Sequence, residues 1–164
     1  MRAVMDFSKE PAMVIEKDNH CELRTVKPEN IFRFPQGILG FEYIKEYVFI
    51  INPKVEPFIF MHALDGSDLN FVCIESFTIR PDYTFTLPPS NIRFLDLKAP
   101  ADLMVLSIVT VRKTAEEITA NLMSPVLINM KNSIAQQIIL DEQYPVKFNI
   151  WAAIEHSANA LRVG

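Results

Sequence analysis

Glycine is nearly missing from this sequence, with four residues in 164. The Gly-rich phosphate loops of the nucleotide-binding fingerprints are thereby excluded, and most turns must be built from Asn, Asp, Pro and Ser. Cysteine is almost as scarce. Cys21 and Cys73 have no metal-ligand spacing and make no disulfide framework, so both are expected to be reduced thiols of a cytoplasmic protein. The three histidines, His20, His62 and His156, never fall in HxH or HxxxH spacing, and no metal or other cofactor is expected. Positive charge is in deficit: a net charge of −4 argues against direct nucleic-acid binding, which depends on neutralising phosphates. The N-terminus mixes Arg2, Asp6, Lys9 and Glu10 and carries no apolar signal-peptide core. The longest strongly apolar run, Leu103 to Val111, is broken by Ser107 and Thr110 and is too short to span a membrane as a helix.

What is present leans toward sheet: 12 Phe against one Trp, with many Ile and Val, at 49% hydrophobic content. Extended runs are expected at Cys21–Val26, Ile31–Phe34, Tyr47–Ile51, Phe58–Leu64, Asn70–Phe77, Tyr83–Leu87, Leu103–Val111, Val126–Met130 and Gln136–Leu140. Ala12 to Ile15 fits an edge strand, and Asp65-Gly66-Ser67-Asp68 a hairpin turn. Alternation over Tyr83–Leu87 is strict, and Pro88-Pro89 ends it because consecutive prolines cannot continue a ladder. Ser90 is placed to cap a short helix through Leu97, and Thr114 with Glu117 matches a capping box. Ile150, Trp151, Ile154, Ala158 and Leu161 fall at helical spacing, which predicts a C-terminal amphipathic helix. The expected class is all-β and mainly antiparallel, a barrel or a sandwich, with one or two short helices. The expected organisation is an extension over 1–20, a β domain over 21–145 and a helical tail over 146–164.

Two of the four glycines lie three residues apart, in Phe34-Pro35-Gln36-Gly37-Ile38-Leu39-Gly40-Phe41-Glu42. Pro35 fixes one φ, the glycines permit positive φ, and Phe34, Ile38 and Phe41 offer side chains to bury. The stretch reads as a rigid, shaped loop leaving a strand.

Catalytic constellations are weak by comparison. His62, Asp65 and Ser67 are close in sequence, but Asp and Ser there are turn residues, and nothing supplies an oxyanion hole. Asp65, Ser67 and Asp68 lack the spacing and closing Glu of a calcium loop. Glu116, Glu117 and Asp102 have no visible acid/base partners. No enzymatic activity is expected. A barrel holding a small apolar ligand is the alternative that a Phe-rich interior permits.

The glycine loop combines with Pro81-Asp82-Tyr83-x-Phe85-x-Leu87, Thr119-Ala120-Asn121-Leu122-x-Ser124-Pro125-Val126-Leu127-Ile128-Asn129 and Gln137-Ile138-Ile139-Leu140. In order and spacing these resemble the flagellar assembly factor FliW family over about Cys21 to Tyr144. Leu39, Ile118 and Ala135-Gln136 depart from residues common in that family, the last replacing a Gly-Lys pair. The resemblance implies a small compact β-barrel that binds proteins. It implies flagellin and the translational regulator CsrA as partners, with export of flagellin freeing the factor to relieve CsrA repression of flagellin mRNA. On this basis Phe41, Glu42, Asn121 and Asn129 are candidates for partner contact, while Pro35, Gly37, Gly40 and Pro125 shape the loops.

Overall fold

A computed structural model describes residues 15–17 and 20–22 as backbone and residues 28–155 in full. Eleven strands are present among them: β1 (Ile15–Lys17), β2 (His20–Glu22), β3 (Phe32–Arg33), β4 (Glu46–Ile51), β5 (Ile59–Ala63), β6 (Asn70–Glu75), β7 (Leu103–Thr110), β8 (Thr119–Ala120), β9 (Val126–Asn129), β10 (Ile134–Gln137) and β11 (Phe148–Asn149). Helix α1 spans Ser76–Ile79 and α2 spans Pro89–Leu95. β1 and β2 form a separate antiparallel pair.

The architecture turns on β7. One of its edges pairs with β6. The other is shared: Leu103–Leu106 pair with β9, and Val109 and Thr110 pair with β8. Through β9, the order β7-β6-β5-β4-β3-β10-β9 closes on itself as a barrel of seven strands. All of its pairings are antiparallel except β3 with β10, which is parallel at Arg33↔Ile134 and makes the barrel mixed. Closure removes the open sheet edges that invite aggregation.

Two cores flank the barrel wall. Phe34, Ile38, Tyr47, Met61, Leu106 and Ile128 fill the interior. Ile79, Tyr83, Leu95, Leu122, Leu127 and Ile150 pack on the outer face, beneath α1 and α2. β7 is apolar on both sides because Met104 and Leu106 face one cluster while Val105 and Val109 face the other. Its one buried hydroxyl, Ser107, on the outer face with Val105 and Val109, shares a 2.7 Å hydrogen bond with Ser76 of α1, which satisfies two buried polar groups at once. Burial pushes the Cys73 thiol up to about 12, so it behaves as a small apolar core residue.

Several expectations change. The run into Phe77 stops at Glu75, because Ser76 turns inward to Ser107 and begins α1. The β10 strand is Ile134–Gln137, earlier than Gln136–Leu140, because the turn at 130–133 sets its register: Ile134 faces Asn129. Ser90 lies inside α2; Pro88 is the N-cap and Pro89 takes the first turn, where a missing N–H costs nothing. A short 3₁₀ turn forms over Ala115–Glu117 without the Thr114 side-chain bond expected of a capping box. Strand formation over 23–26, and the tail helix beyond residue 155, lie outside the described residues; residues 151–155 are helical.

Tyr83–Leu87 is extended, and its burial alternates as the sequence suggested, but it joins no ladder. Side chains replace the missing strand. Thr84 N–H donates to Tyr144 Oη at 3.1 Å, Tyr144 donates back to Thr84 O at 2.7 Å, and Thr86 N–H donates to Glu142 Oε1 at 3.0 Å. The Thr86 amide holds the Glu142 carboxyl below its ordinary range. A folded-state pKa below the unfolded one means that this contact is present above the unfolded pKa and is lost as pH falls through the folded value. Amide exchange by NMR is expected to show the protection of Thr86 falling with acid through that window, and Glu142→Gln is expected to flatten this dependence.

Candidate functional site

The glycine loop is a double turn locked from within. Gly37 N–H donates to Phe34 O, Phe41 N–H to Ile38 O and Ile44 N–H to Phe41 O. Gly37 and Gly40 have φ of 70° and 85°, which L side chains rarely adopt. Pro35 lies exposed at the first turn, where its carbonyl accepts from Lys45 Nζ at 3.1 Å. Glu42 closes the second turn: its Oε1 accepts from Gly40 N–H at 2.9 Å, which lowers its pKa, with its own amide and Lys45 acting in the same direction. Phe41 is half-buried and meets Phe71 edge to face at 5.3 Å. Ile38 is buried in the barrel, while Leu39 at the tip is 51% exposed.

Two adjacent glutamines of β10 bolt this loop to the barrel. Gln137 Oε1 accepts from Leu39 N–H at 2.9 Å, and its Nε2 donates to Ser124 O at 3.2 Å. Gln136 Nε2 donates to Gln36 Oε1 at 2.8 Å, and its Oε1 accepts from Asn91 Nδ2 of α2 at 2.9 Å. Asn121 Oδ1 accepts from the Met123 and Ser124 amides and so shapes the turn before the buried Pro125, whose carbonyl takes Ile138 N–H. Tyr83 donates to Leu122 O in the same region. The glycine loop, the Tyr83 segment, the Asn121–Pro125 turn and the Gln137 strand are therefore linked by hydrogen bonds, although up to 100 residues separate bonded partners.

Asn129 stands apart from that constellation. It is 2% exposed, and its amide bonds to Leu95 O, Asp96 O and Lys131 N–H. Of the four residues suggested for partner contact, Glu42 is exposed, Phe41 and Asn121 are half-buried, and Asn129 is enclosed. Gln36, Asn91, Gln136 and the exposed apolar pair Leu39 and Ile139 were not among the residues suggested from sequence for partner contact. Only a pairing of β10 with the glycine loop would have pointed to them.

Leu39 and Ile139, 51% and 63% exposed, border a groove of about 350 Å³ with Pro88, Asn91 and Gln137. Elsewhere, Asp65 accepts from the Ser67 amide and hydroxyl, closing a turn. Asp102 accepts from Ala99 N–H and pairs with Lys131 at 3.5 Å. Among the described residues no three His, Cys, Asp or Glu side chains are placed to hold a metal ion, and no helix is long and apolar enough to cross a membrane.

Removing the Gln137 amide should release the loop tip. Gln137→Ala is expected to cost roughly 1–2 kcal/mol and to raise amide exchange at Leu39 while leaving that of β5 unchanged. Urea denaturation and exchange by NMR check both.

The profile of the FliW protein family matches residues 15–150. The chain belongs to the FliW family. It is similar to the flagellar assembly factor FliW of Alkaliphilus metalliredigens, at 37% identity over 145 residues, covering 87% of this chain and 89% of that protein. The FliW of Ruminiclostridium cellulolyticum is 35% identical over 139 residues, covering 84% and 94%. A crystal structure of the flagellar assembly factor FliW superimposes with a TM-score of 0.75 at 29% identity, covering 84% of this chain and 96% of that one. FliW membership agrees with the closed barrel and with the motifs that carried the resemblance.

Proposed function

We infer that this chain is a cytoplasmic, non-enzymatic flagellar assembly factor that works by offering a preformed face to other proteins. The partners implied by the family resemblance are flagellin and CsrA, engaged alternately, with CsrA repression of flagellin mRNA relieved when flagellin leaves. The observation that carries this reading is the bracing of the glycine loop by Gln136 and Gln137, which holds Leu39 and Ile139 exposed on a rigid rim. Exposed apolar groups held in place lose little conformational freedom on binding. Phe34, Tyr47, Met61 and Leu106 pack together inside the barrel, which favours a protein-binding role over the alternative of an enclosed apolar ligand.

Purified protein is expected to release CsrA from flagellin mRNA leader in a gel-shift assay, and added flagellin to reverse the release. The double substitution Leu39→Asp and Ile139→Asp is expected to weaken one of the two partners by about a hundredfold with unchanged thermal stability, since neither side chain is buried. Failure of the native protein to release CsrA at micromolar concentration would sink the proposal. Full activity of the double variant would move the contact away from this rim.

A further inference from the structure

Leu39 and Ile139 differ in charge surroundings from the other large apolar side chains exposed among the described residues. Tyr43, Val55, Ile92, Val111 and Val146 each stand within two positions of a Lys or Arg. Leu39 and Ile139 do not: their nearest charged neighbours along the chain are Glu42 and Asp141. The groove of about 350 Å³ that they border is lined by Asp141 and Glu142, and no Lys, Arg or His is among its described lining residues. Lys45 lies near Glu42, but its Nζ donates to Pro35 O, and it lines a different hollow with Arg33 and Tyr43. The glutamines of the groove are already committed. Gln137 joins Leu39 N–H to Ser124 O, and Gln136 joins Gln36 to Asn91. The charge left to meet an occupant is that of two carboxylates, which when ionised only accept hydrogen bonds. The Thr86 amide, 3.0 Å from Glu142 Oε1, fixes one of them in place.

Resting on the reading of this rim as the protein-binding face, we propose that the groove between Leu39 and Ile139 takes a partner segment in which an apolar side chain is flanked by Lys or Arg. The apolar side chain removes Leu39 and Ile139 from water, and the flanking cations meet Asp141 and Glu142. An acidic segment would set like charges together, as would the phosphates of a nucleic acid. A wholly apolar occupant would cover the carboxylates without supplying a donor, which costs their hydration. The carboxylates stand at the surface, so they act on the choice of partner more than on the strength of binding, and salt weakens their effect.

The test uses the full-length protein and three synthetic heptapeptides, each with a central Leu flanked on both sides by Lys, by Ser or by Glu. Binding is followed by NMR from the methyl resonances of Leu39 and Ile139. The Lys peptide is expected to bind about fivefold more tightly than the Ser peptide at low salt, the effect of two exposed ion pairs, and the Glu peptide most weakly. The ranking is expected to collapse in about 0.5 M salt. Asp141→Asn with Glu142→Gln, which keeps the acceptor for Thr86, is expected to make the three peptides equal, and Asp141→Lys to remove the preference for Lys over Glu. The proposal is overturned if no peptide shifts these methyls at millimolar concentration, if the three bind the native protein equally, or if the ranking survives both variants. It is also overturned if the native protein self-associates through these methyls in sedimentation and NMR, which would make a second copy of the chain the occupant. Peptide selectivity without release of CsrA would sustain the groove's preference and sink the assignment of partners, whereas release of CsrA without peptide selectivity would sustain the assignment and sink the preference.

Discussion

Gly37→Ala is expected to lower stability by roughly 3 kcal/mol or more, a fall in Tm of about 10 °C for a chain of this size. Two costs add at this position. The residue holds φ at 70°, where a Cβ brings strain, and the new Cβ would stand 2.5 Å from Glu42 Cα and 2.8 Å from Glu42 O. Those are backbone atoms of the same double turn, so no side chain can swing aside. Gly40 separates the two costs: its φ is 85°, yet nothing lies within 4 Å of a Cβ built there. Gly40→Ala therefore carries the conformational penalty alone, roughly 1 kcal/mol. Parallel urea and thermal denaturation of the two variants checks the ranking, and equal losses would show that the close approach to Glu42 relaxes at no cost.

That contrast also shows what was legible in the sequence. The glycine loop was, because its geometry is local: two glycines, a proline and their apolar neighbours fix the turn within a dozen residues. The Asp65–Asp68 hairpin was legible for the same reason, and β5 and β6 pair across it with His62 facing Asn70. β7 was legible as a buried strand, since a run covered on both faces is apolar throughout. Its division between β9 and β8 was not, because nothing in an apolar run records which neighbour takes which half. The parallel contact of β3 with β10 joins residues about a hundred positions apart and leaves no local trace.

Tyr83–Leu87 failed in a more instructive way. Its alternation was read correctly, and buried Tyr83 with half-buried Phe85 and Leu87 against exposed Thr84 and Thr86 reproduces it. Alternation reports a two-faced extended chain, but it does not report whether another strand lies alongside. Here Tyr144 and Glu142 supply the bonds instead. The brace of the candidate site was hidden by the same limit. Gln36, Asn91 and Gln136 are ordinary polar residues until the barrel brings them within hydrogen-bond distance.

Asn129→Ala is expected to cost roughly 3 kcal/mol, because this side chain completes a helix end from a remote strand. The last carbonyls of α2 have no intrahelical donors. Asn129 Nδ2 gives its hydrogens to Leu95 O at 2.8 Å and Asp96 O at 3.2 Å, and its Oδ1 takes Lys131 N–H at 2.9 Å. Leu95 O retains a second donor in Asn132 at 3.0 Å, so the unsatisfied groups after truncation are Asp96 O and Lys131 N–H. Asn129→Asp tests the donor role separately. The carboxylate keeps an acceptor for Lys131 but faces two carbonyl oxygens without a proton, which raises its folded-state pKa above the unfolded value. Its penalty is then greatest at neutral pH and shrinks as pH falls through the raised pKa, when a protonated carboxyl again donates to Leu95 O. The stability gap between the Asp variant and the native protein, measured by urea denaturation across pH, should therefore narrow with acid, whereas the gap for the Ala variant should not change. A pH-independent Asp penalty would mean that the Leu95 and Asp96 carbonyls do not depend on this amide, and that α2 is anchored by its apolar face alone.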